Sequence, residues 1–215
     1  MLNFEDEAKG NGYVFVVGVD EAGRGPLAGP VISAAVFLKS SQFEHSIKDS
    51  KKMTERQREQ AFLEIFEKGV VGIGVMNESV IDSCNILQAT FLAMASAVRQ
   101  LISRLPQESV CLNNFDKQVF LLIDGPHFKT DLPYGHRTII DGDDKCLSIA
   151  CASIVAKVYR DRVLRSYDRI YPQYGFKSHK GYPTEAHRKA IMKNGLSPIH
   201  RRSFQCKDLH EAPLE

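Results

Sequence analysis

The chain reads as an α/β protein on three observations. Short apolar runs rich in Val and Ile, over residues 13–19, 31–38, 70–76 and 119–123, have the length and composition of buried strands. Longer stretches over 54–68, 77–105 and 146–167 carry apolar residues at helical spacing. The runs at 13–19 and 119–123 share one grammar: a buried strand, then an aspartate, then a Gly/Pro turn.

A chain of 215 residues is long enough for one well-buried domain, expected over 1–215, with 172–205 as a small C-terminal helical and loop appendage that helps bind substrate. Hydrophobic content of 43% and charged content of 25% are ordinary for a soluble globular protein. The longest apolar runs are read as far too short to span a bilayer, and the acidic, polar N-terminus lacks a secretory apolar core. No membrane association is expected, and the cytoplasm is the expected location. The five cysteines (Cys84, Cys111, Cys146, Cys151, Cys206) are an odd count without a C-x-x-C pair, so they read as reduced, mostly buried residues. There is no internal repeat and no low-complexity segment.

The first strand runs into residues 18–30, GVDEAGRGPLAGP, around which the chain is organised. Asp20 and Glu21 close the strand, and three glycines with two prolines follow, so no regular element continues there. Such a turn presents acid side chains beside bare backbone N–H groups, which suits a divalent metal held against a phosphate or sugar. GRGPLA also fits the dinucleotide pattern G-x-G-x-x-[GA], but that pattern needs a helix to open inside it. Pro26, Pro30 and the strand-like run that follows argue against one. The plainer alternative is a hairpin turn with a solvated Asp-Glu pair, and the rest of the chain decides against it.

Residues 31–38 complete a first strand pair, and Lys48 to Lys52 form a polar turn. Thr54 with Gln57 makes a capping box for a helix to Lys68, and Gly69 is a natural residue to follow its C-terminus. The strand at 70–76 alternates glycines with apolar residues, through close backbone approach or loose packing. One long amphipathic helix is expected over 77–105, ended by Pro106, with a polar, irregular stretch over 107–118. After the strand at 119–123, a further short strand is expected at 138–140. The acids Asp141, Asp143 and Asp144 stand just ahead of the helix at 146–167, where at least one is expected to cap it. The loop at 173–183 carries aromatic and basic residues, a short helix is expected over 184–194, and the polar tail from Cys206 is expected to fray.

The net charge of +2 decides little, but its distribution is uneven. Residues 177–202 hold Lys177, Lys180, Arg188, Lys189, Lys193, Arg201, Arg202, His179, His187 and His200 against the single acid Glu185. A generic solvated basic face would look the same. Set against acids in the N-terminal half, it suggests a polyanionic substrate gripped on one side.

If the strands lie side by side, Asp20, Glu21, Asp124 and Asp143 converge. Four carboxylates in one place cannot all ionise comfortably without cations, and hard divalent ions such as Mg²⁺ or Mn²⁺ resolve the repulsion. Two such ions would make a two-metal phosphoryl-transfer site. No Cys/His set supports zinc, and no GKS or GKT phosphate loop occurs.

Seven stretches, in order, resemble one family: GVDEAGRGPLAGP, KDSKKMTERQRE, DSCNILQATFLAM, LLIDGP, IIDGDDKCLSIACASIVAKVYRDR, YPQYGFKSHKGYPTEAH and SPIHRRSF. They are similar to ribonuclease HII and cover most of the chain. The resemblance implies a ribonuclease H-like fold, a mixed five-stranded sheet flanked by helices, with a small C-terminal helical part. It implies Mg²⁺- or Mn²⁺-dependent cleavage of RNA in RNA–DNA hybrids and of single ribonucleotides embedded in DNA, leaving 3′-hydroxyl and 5′-phosphate ends, in a repair role. The family's metal-binding acids fall on Asp20, Glu21 and Asp124. Its fourth catalytic acid, in a GD-x-K context, falls on Asp143 rather than Asp141 or Asp144. Adjacent strand residues point to opposite faces, so Asp20 and Glu21 share a site only where the strand ends or bulges.

The same resemblance places a 2′-hydroxyl reader on Gly23 and Gly25, where glycine lets backbone approach the sugar, and Arg24 near the scissile phosphate. Tyr182 matches the tyrosine that stacks on the deoxyribose after the ribonucleotide. Lys51 is assigned to phosphate, with Lys180, Arg201 and Arg202 as weaker candidates, and His200 is read as structural. A monomer is the default. A junction resolvase would lack the GRG turn and the HKGY loop, and ribonuclease HIII would be expected to carry a substantial N-terminal addition. A non-catalytic hybrid-binding module would be expected to lose the carboxylates.

Overall fold

The computed structural model describes residues 1–106 and 114–204; the segment 107–113, with Cys111, and the tail 205–215, with Cys206, lie outside the described residues. Among the described residues five strands build one mixed sheet: β1 (Phe15–Ala22), β2 (Val31–Leu38), β3 (Gly69–Met76), β4 (Val119–Asp124) and β5 (Gly135–Ile139). Their order is β3-β2-β1-β4-β5, with β1–β2 and β2–β3 antiparallel and β1–β4 and β4–β5 parallel.

Helices cover both faces, as the continuous burial of β1 and β2 requires, since successive side chains point to opposite faces. On one face Phe15, Val17 and Val19 of β1 meet Phe91, Met94, Val98 and Leu101 of a helix at Ile86–Ser103. On the other, Ala34 and Val36 of β2 pack with Ile65 of a helix at Glu55–Lys68 and with Ile154 and Val155 of the 24-residue helix Leu147–Ile170. A third cluster, with Leu27, Leu164, Tyr174, Phe176 and Ile191, roots the C-terminal part onto the turn after β1.

In chain order the helices are α1 (Asn3–Gly10), α2 (Glu55–Lys68), α3 (Glu78–Cys84), α4 (Ile86–Ser103), α5 (Gly142–Lys145), α6 (Leu147–Ile170), α7 (Phe176–His179) and α8 (Glu185–Asn194). The Thr54/Gln57 capping box opens α2 as expected. Gly69 is extended, with φ −141°, because β3 begins there without an intervening turn. The glycines of β3 serve close approach: a Cβ on Gly72 or Gly74 would lie 2.0 Å from the Ala97 or Ala93 carbonyl oxygen of α4.

The expected single helix over 77–105 is two. Asn85 breaks it with φ +69°, and its side chain caps α4 by accepting from Leu87 and Gln88 N–H. By length and composition α4 would also suit a bilayer, which the reading of apolar runs did not foresee; here its apolar stripe faces the sheet. The N-terminal helix α1 was not foreseen either. It brings Glu5 to the start of α6, where Oε1 accepts from Ser148 N–H and Oγ at 2.9 and 2.8 Å. Cys146 and Cys151 are buried free thiols, as expected. Burial, with Glu5 adding to it, pushes Cys146 up to about 12.

Candidate active site

The turn after β1 carries no helix. It passes directly into antiparallel β2, which excludes the dinucleotide-binding reading of GRGPLA. The register Val19↔Ile123 between parallel strands sets Asp20 beside Asp124 at their carboxyl ends. The β1–β2 pairing stays regular through Ala22, so both acids lie inside the strand without a bulge; it is the pairing with β4 that ends just before them, at Val19. Gly23 follows with φ +101°, a conformation L side chains rarely adopt.

A cavity of about 330 Å³ opens at this edge, lined by Asp20, Glu21, Asp124, the Gly23-Arg24-Gly25 turn, Lys51 and Tyr182. Asp20 is 5% exposed, and its Oδ1 accepts the Glu21 N–H at 2.6 Å. Glu21 Oε1 lies 3.4 Å from Arg24 Nη1. Asp124 Oδ1 accepts the Gly142 N–H at 2.7 Å, tying β4 to the start of α5. Burial pushes the Asp20 carboxyl well above the usual carboxylate range, and the Glu21 and Asp124 charges push the same way. Burial also raises Glu21, with Arg24 pulling against it and Asp124 adding to it.

The three acids at the end of β4–β5 divide by environment. Asp143 is buried, and burial raises its carboxyl against the pull of Lys51, whose Nζ is 3.5 Å away. Asp144 is half-exposed and holds Lys52 at 2.7 Å. Asp141 sits at φ +55° without a side-chain capping bond, and the long helix α6 opens at Cys146 with no side-chain cap, so none of the three acids caps it, contrary to expectation. Burial pulls Lys51 down, but Asp143, Asp49 and Asp20 outweigh it, so the ammonium is held protonated beside the acids.

Among the described residues no three Asp, Glu, His or Cys side chains close around a single point as they stand. Glu21 N–H, Arg24 and Gly142 N–H each hold one of the three cavity carboxylates. The donor set nevertheless fits hard divalent ions. It is all oxygen, it carries more negative charge than burial tolerates, and among the described residues no thiolate or imidazole lines the cavity.

Three cavity residues on one helix escaped the sequence reading. Lys157 and Arg160 project from α6 with Ser153, forming a polar i, i+4, i+7 stripe in an otherwise Ala-, Ile- and Val-rich segment. That stripe was the available signal. Ser153 Oγ meets Ser50 Oγ at 2.9 Å and its hydrogen bond steadies the ionised form of Asp20.

The basic C-terminal residues do not act as one face. Arg201 is 2% exposed, and its guanidinium donates to three backbone carbonyls, so it is not available to phosphate. Lys180 Nζ turns back onto the Lys177 carbonyl. His200 is buried and structural, as expected: its Nδ1 accepts from Ser197 N–H at 2.9 Å, and its Nε2 lies 3.1 Å from His187 Nε2.

Fold and site together define the class: a ribonuclease H-like protein with a carboxylate-lined, lysine-rimmed cleft at the ends of parallel strands. Comparison with known proteins carries this further. The ribonuclease HII family model matches residues 17–207. The chain is 49% identical to ribonuclease HII of Ruminiclostridium cellulolyticum, covering 95% of this chain and 75% of that one. It is 45% identical to ribonuclease HII of Syntrophus aciditrophicus, covering 100% and 95%. Among solved structures, the ribonuclease H2 of Pyrococcus horikoshii superposes with a TM-score of 0.64 at 25% identity, covering 89% of this chain and 94% of that one. The chain belongs to the ribonuclease HII family, and is a metal-dependent ribonuclease H endonuclease.

Proposed function

We propose that this protein cuts the RNA strand of RNA–DNA hybrids and nicks duplex DNA on the 5′ side of single embedded ribonucleotides, in ribonucleotide repair in the cytoplasm. One observation carries the reading: Asp20, Glu21 and Asp124 line the same cavity as the GRG turn and Tyr182, while Asp143 stands outside that lining and reaches it through Lys51, 3.5 Å away. A Cβ on Gly25 would lie 3.7 Å from Tyr182 Cε1, so the turn and the tyrosine are neighbours along a substrate's path.

In this reading Asp20, Glu21 and Asp124 hold the metal, and Asp143 is the fourth catalytic acid. Two divalent ions, Mg²⁺ or Mn²⁺, supply an activated water and charge neutralisation at the leaving 3′-oxygen when bound, giving 3′-hydroxyl and 5′-phosphate products. The chain's own residues do the selecting. Gly23 and Gly25 bring backbone groups to the 2′-hydroxyl, the group that distinguishes RNA from DNA. Arg24 and Lys51 hold the phosphates on either side of the carboxylates, and Tyr182, 42% exposed at the mouth, stacks on the deoxyribose that follows. We take the catalytic unit to be a monomer of one domain with an appended substrate-binding part.

The test is incubation of a labelled hybrid with and without divalent metal. Binding without cutting in chelator, and cutting once Mg²⁺ or Mn²⁺ is added, is the expected result. Binding that never leads to cutting would mean a hybrid-binding module.

A further inference from the structure

Two arginines that the proposed chemistry does not use are almost wholly buried beneath the GRG turn: Arg160 on α6, 1% exposed, and Arg201, 2% exposed. Burying a guanidinium is expensive unless all its hydrogen-bond capacity is met. Here every guanidinium nitrogen of both residues has a backbone carbonyl to donate to, six in all. Arg160 donates to Pro30 and Ala28 at 3.0 Å each and to Lys180 at 2.9 Å. Arg201 donates to Gly29 and Arg24 at 2.9 Å each and to Gly23 at 2.6 Å. Five of the six lie in the loop between β1 and β2; the sixth belongs to the loop that carries Tyr182.

The direction of these bonds matters. In a trans peptide the C=O of one residue and the N–H of the next point opposite ways, and no cis peptide occurs among the described residues. Carbonyls of Gly23 and Arg24 drawn down onto Arg201 therefore aim the N–H groups of Arg24 and Gly25 the other way. Arg160 packs directly under Gly23, where a Cβ would meet its Nε at 2.2 Å. Leu27 N–H bonding the Gly181 carbonyl at 2.8 Å joins the same two loops. Burial lowers both guanidiniums, to about 10 for Arg160 and about 9 for Arg201, which leaves both charged at neutral pH.

We propose that Arg160 and Arg201 are positioning residues that fix the ribonucleotide-reading face: Arg201 orients the turn's amides, and Arg160 sets the spacing between the turn and Tyr182. This rests on the reading of the GRG turn as the sugar reader. Lysine keeps the charge but not the planar fork, so Arg201→Lys isolates geometry from electrostatics.

The experiment measures ¹⁵N order parameters of Arg24 and Gly25, and kcat and KM on duplex DNA with one internal ribonucleotide. In Arg201→Lys the order parameters are expected to fall from about 0.85 to below about 0.6, with β1 and β4 unchanged. A misplaced reader is expected to lower kcat about 100-fold with KM within about threefold. Arg160→Lys combined with Tyr182→Ala is expected to fall within about threefold of the slower single variant, because the arginine acts through the tyrosine's loop. A folded Arg201→Lys enzyme with unchanged kcat and rigid turn amides overturns the proposal, as does strict additivity of Arg160→Lys with Tyr182→Ala.

If neither lysine variant folds, the wild-type protein decides. Its Arg24 and Gly25 amides should be rigid without substrate, with order parameters of about 0.85; values below about 0.6 overturn the proposal. A wild-type enzyme that cuts hybrids but never the one-ribonucleotide duplex would instead overturn the reading of the turn beneath it, whatever the order parameters show.

Discussion

Gly25 and Tyr182, 157 positions apart in the chain, face each other across the mouth of the cleft, where a Cβ on Gly25 would come 3.7 Å from the tyrosine ring. That distance is an ordinary contact, so Gly25→Ala should fold normally. The methyl group would stand between the turn and a sugar, and we expect kcat/KM on a one-ribonucleotide duplex to fall about 10–100-fold, a loss of roughly 1.4–2.7 kcal/mol in transition-state stabilisation. Steady-state kinetics beside a thermal melt checks it; wild-type kinetics would remove Gly25 from the reading face.

Tyr182→Ala should lower cleavage at isolated ribonucleotides more than it lowers duplex binding. The ring is exposed at the mouth, and its removal leaves the phosphate contacts in place. Equal losses in both measurements would make the tyrosine merely structural.

Asp124→Asn should reduce turnover about 10³-fold or more without unfolding the protein, because an amide oxygen can still accept the Gly142 N–H. Asp143→Asn should also be slow, whereas Asp144→Asn, which loses only an exposed contact to Lys52, should stay within about threefold of wild type. The reverse order of the last two would move the fourth acid to Asp144.

The His187–His200 pair predicts a pH dependence of stability. Burial lowers both imidazoles to about 4, each further lowered by a neighbouring histidine. The unfolded chain binds these protons near 6.5 and the folded chain near 4. The pair's contribution to stability is therefore complete above about 6.5, falls as the pH drops from there, and is gone below about 4. Urea melts at pH 7.5, 6.0 and 4.5 should show a falling midpoint, and His200→Gln should flatten that slope. A midpoint insensitive to pH over this range would contradict the burial of a neutral pair.

Much of this was legible in the sequence for local reasons. A capping box is written within four residues, and Asp20-Glu21 ahead of GRG announces a strand end with acids on it. What was not legible depends on partners far along the chain. Arg201 reads as one more basic surface residue until the Gly23 and Arg24 carbonyls are folded over it. His179 and His187 read as charge, yet His179 stacks on His187 and His187 meets His200. The split at Asn85 was missed because the apolar spacing continues across it, and only the side-chain cap reveals the new start.

The central claim is that one cleft joins metal-dependent cleavage to recognition of a single ribonucleotide. An end-labelled DNA duplex with one internal ribonucleotide, incubated with and without Mg²⁺, tests it most directly. The account predicts a metal-dependent nick immediately 5′ of the ribonucleotide, with a 3′-hydroxyl end, and none in the all-DNA control. A duplex left intact by an enzyme that cuts long hybrids would contradict it.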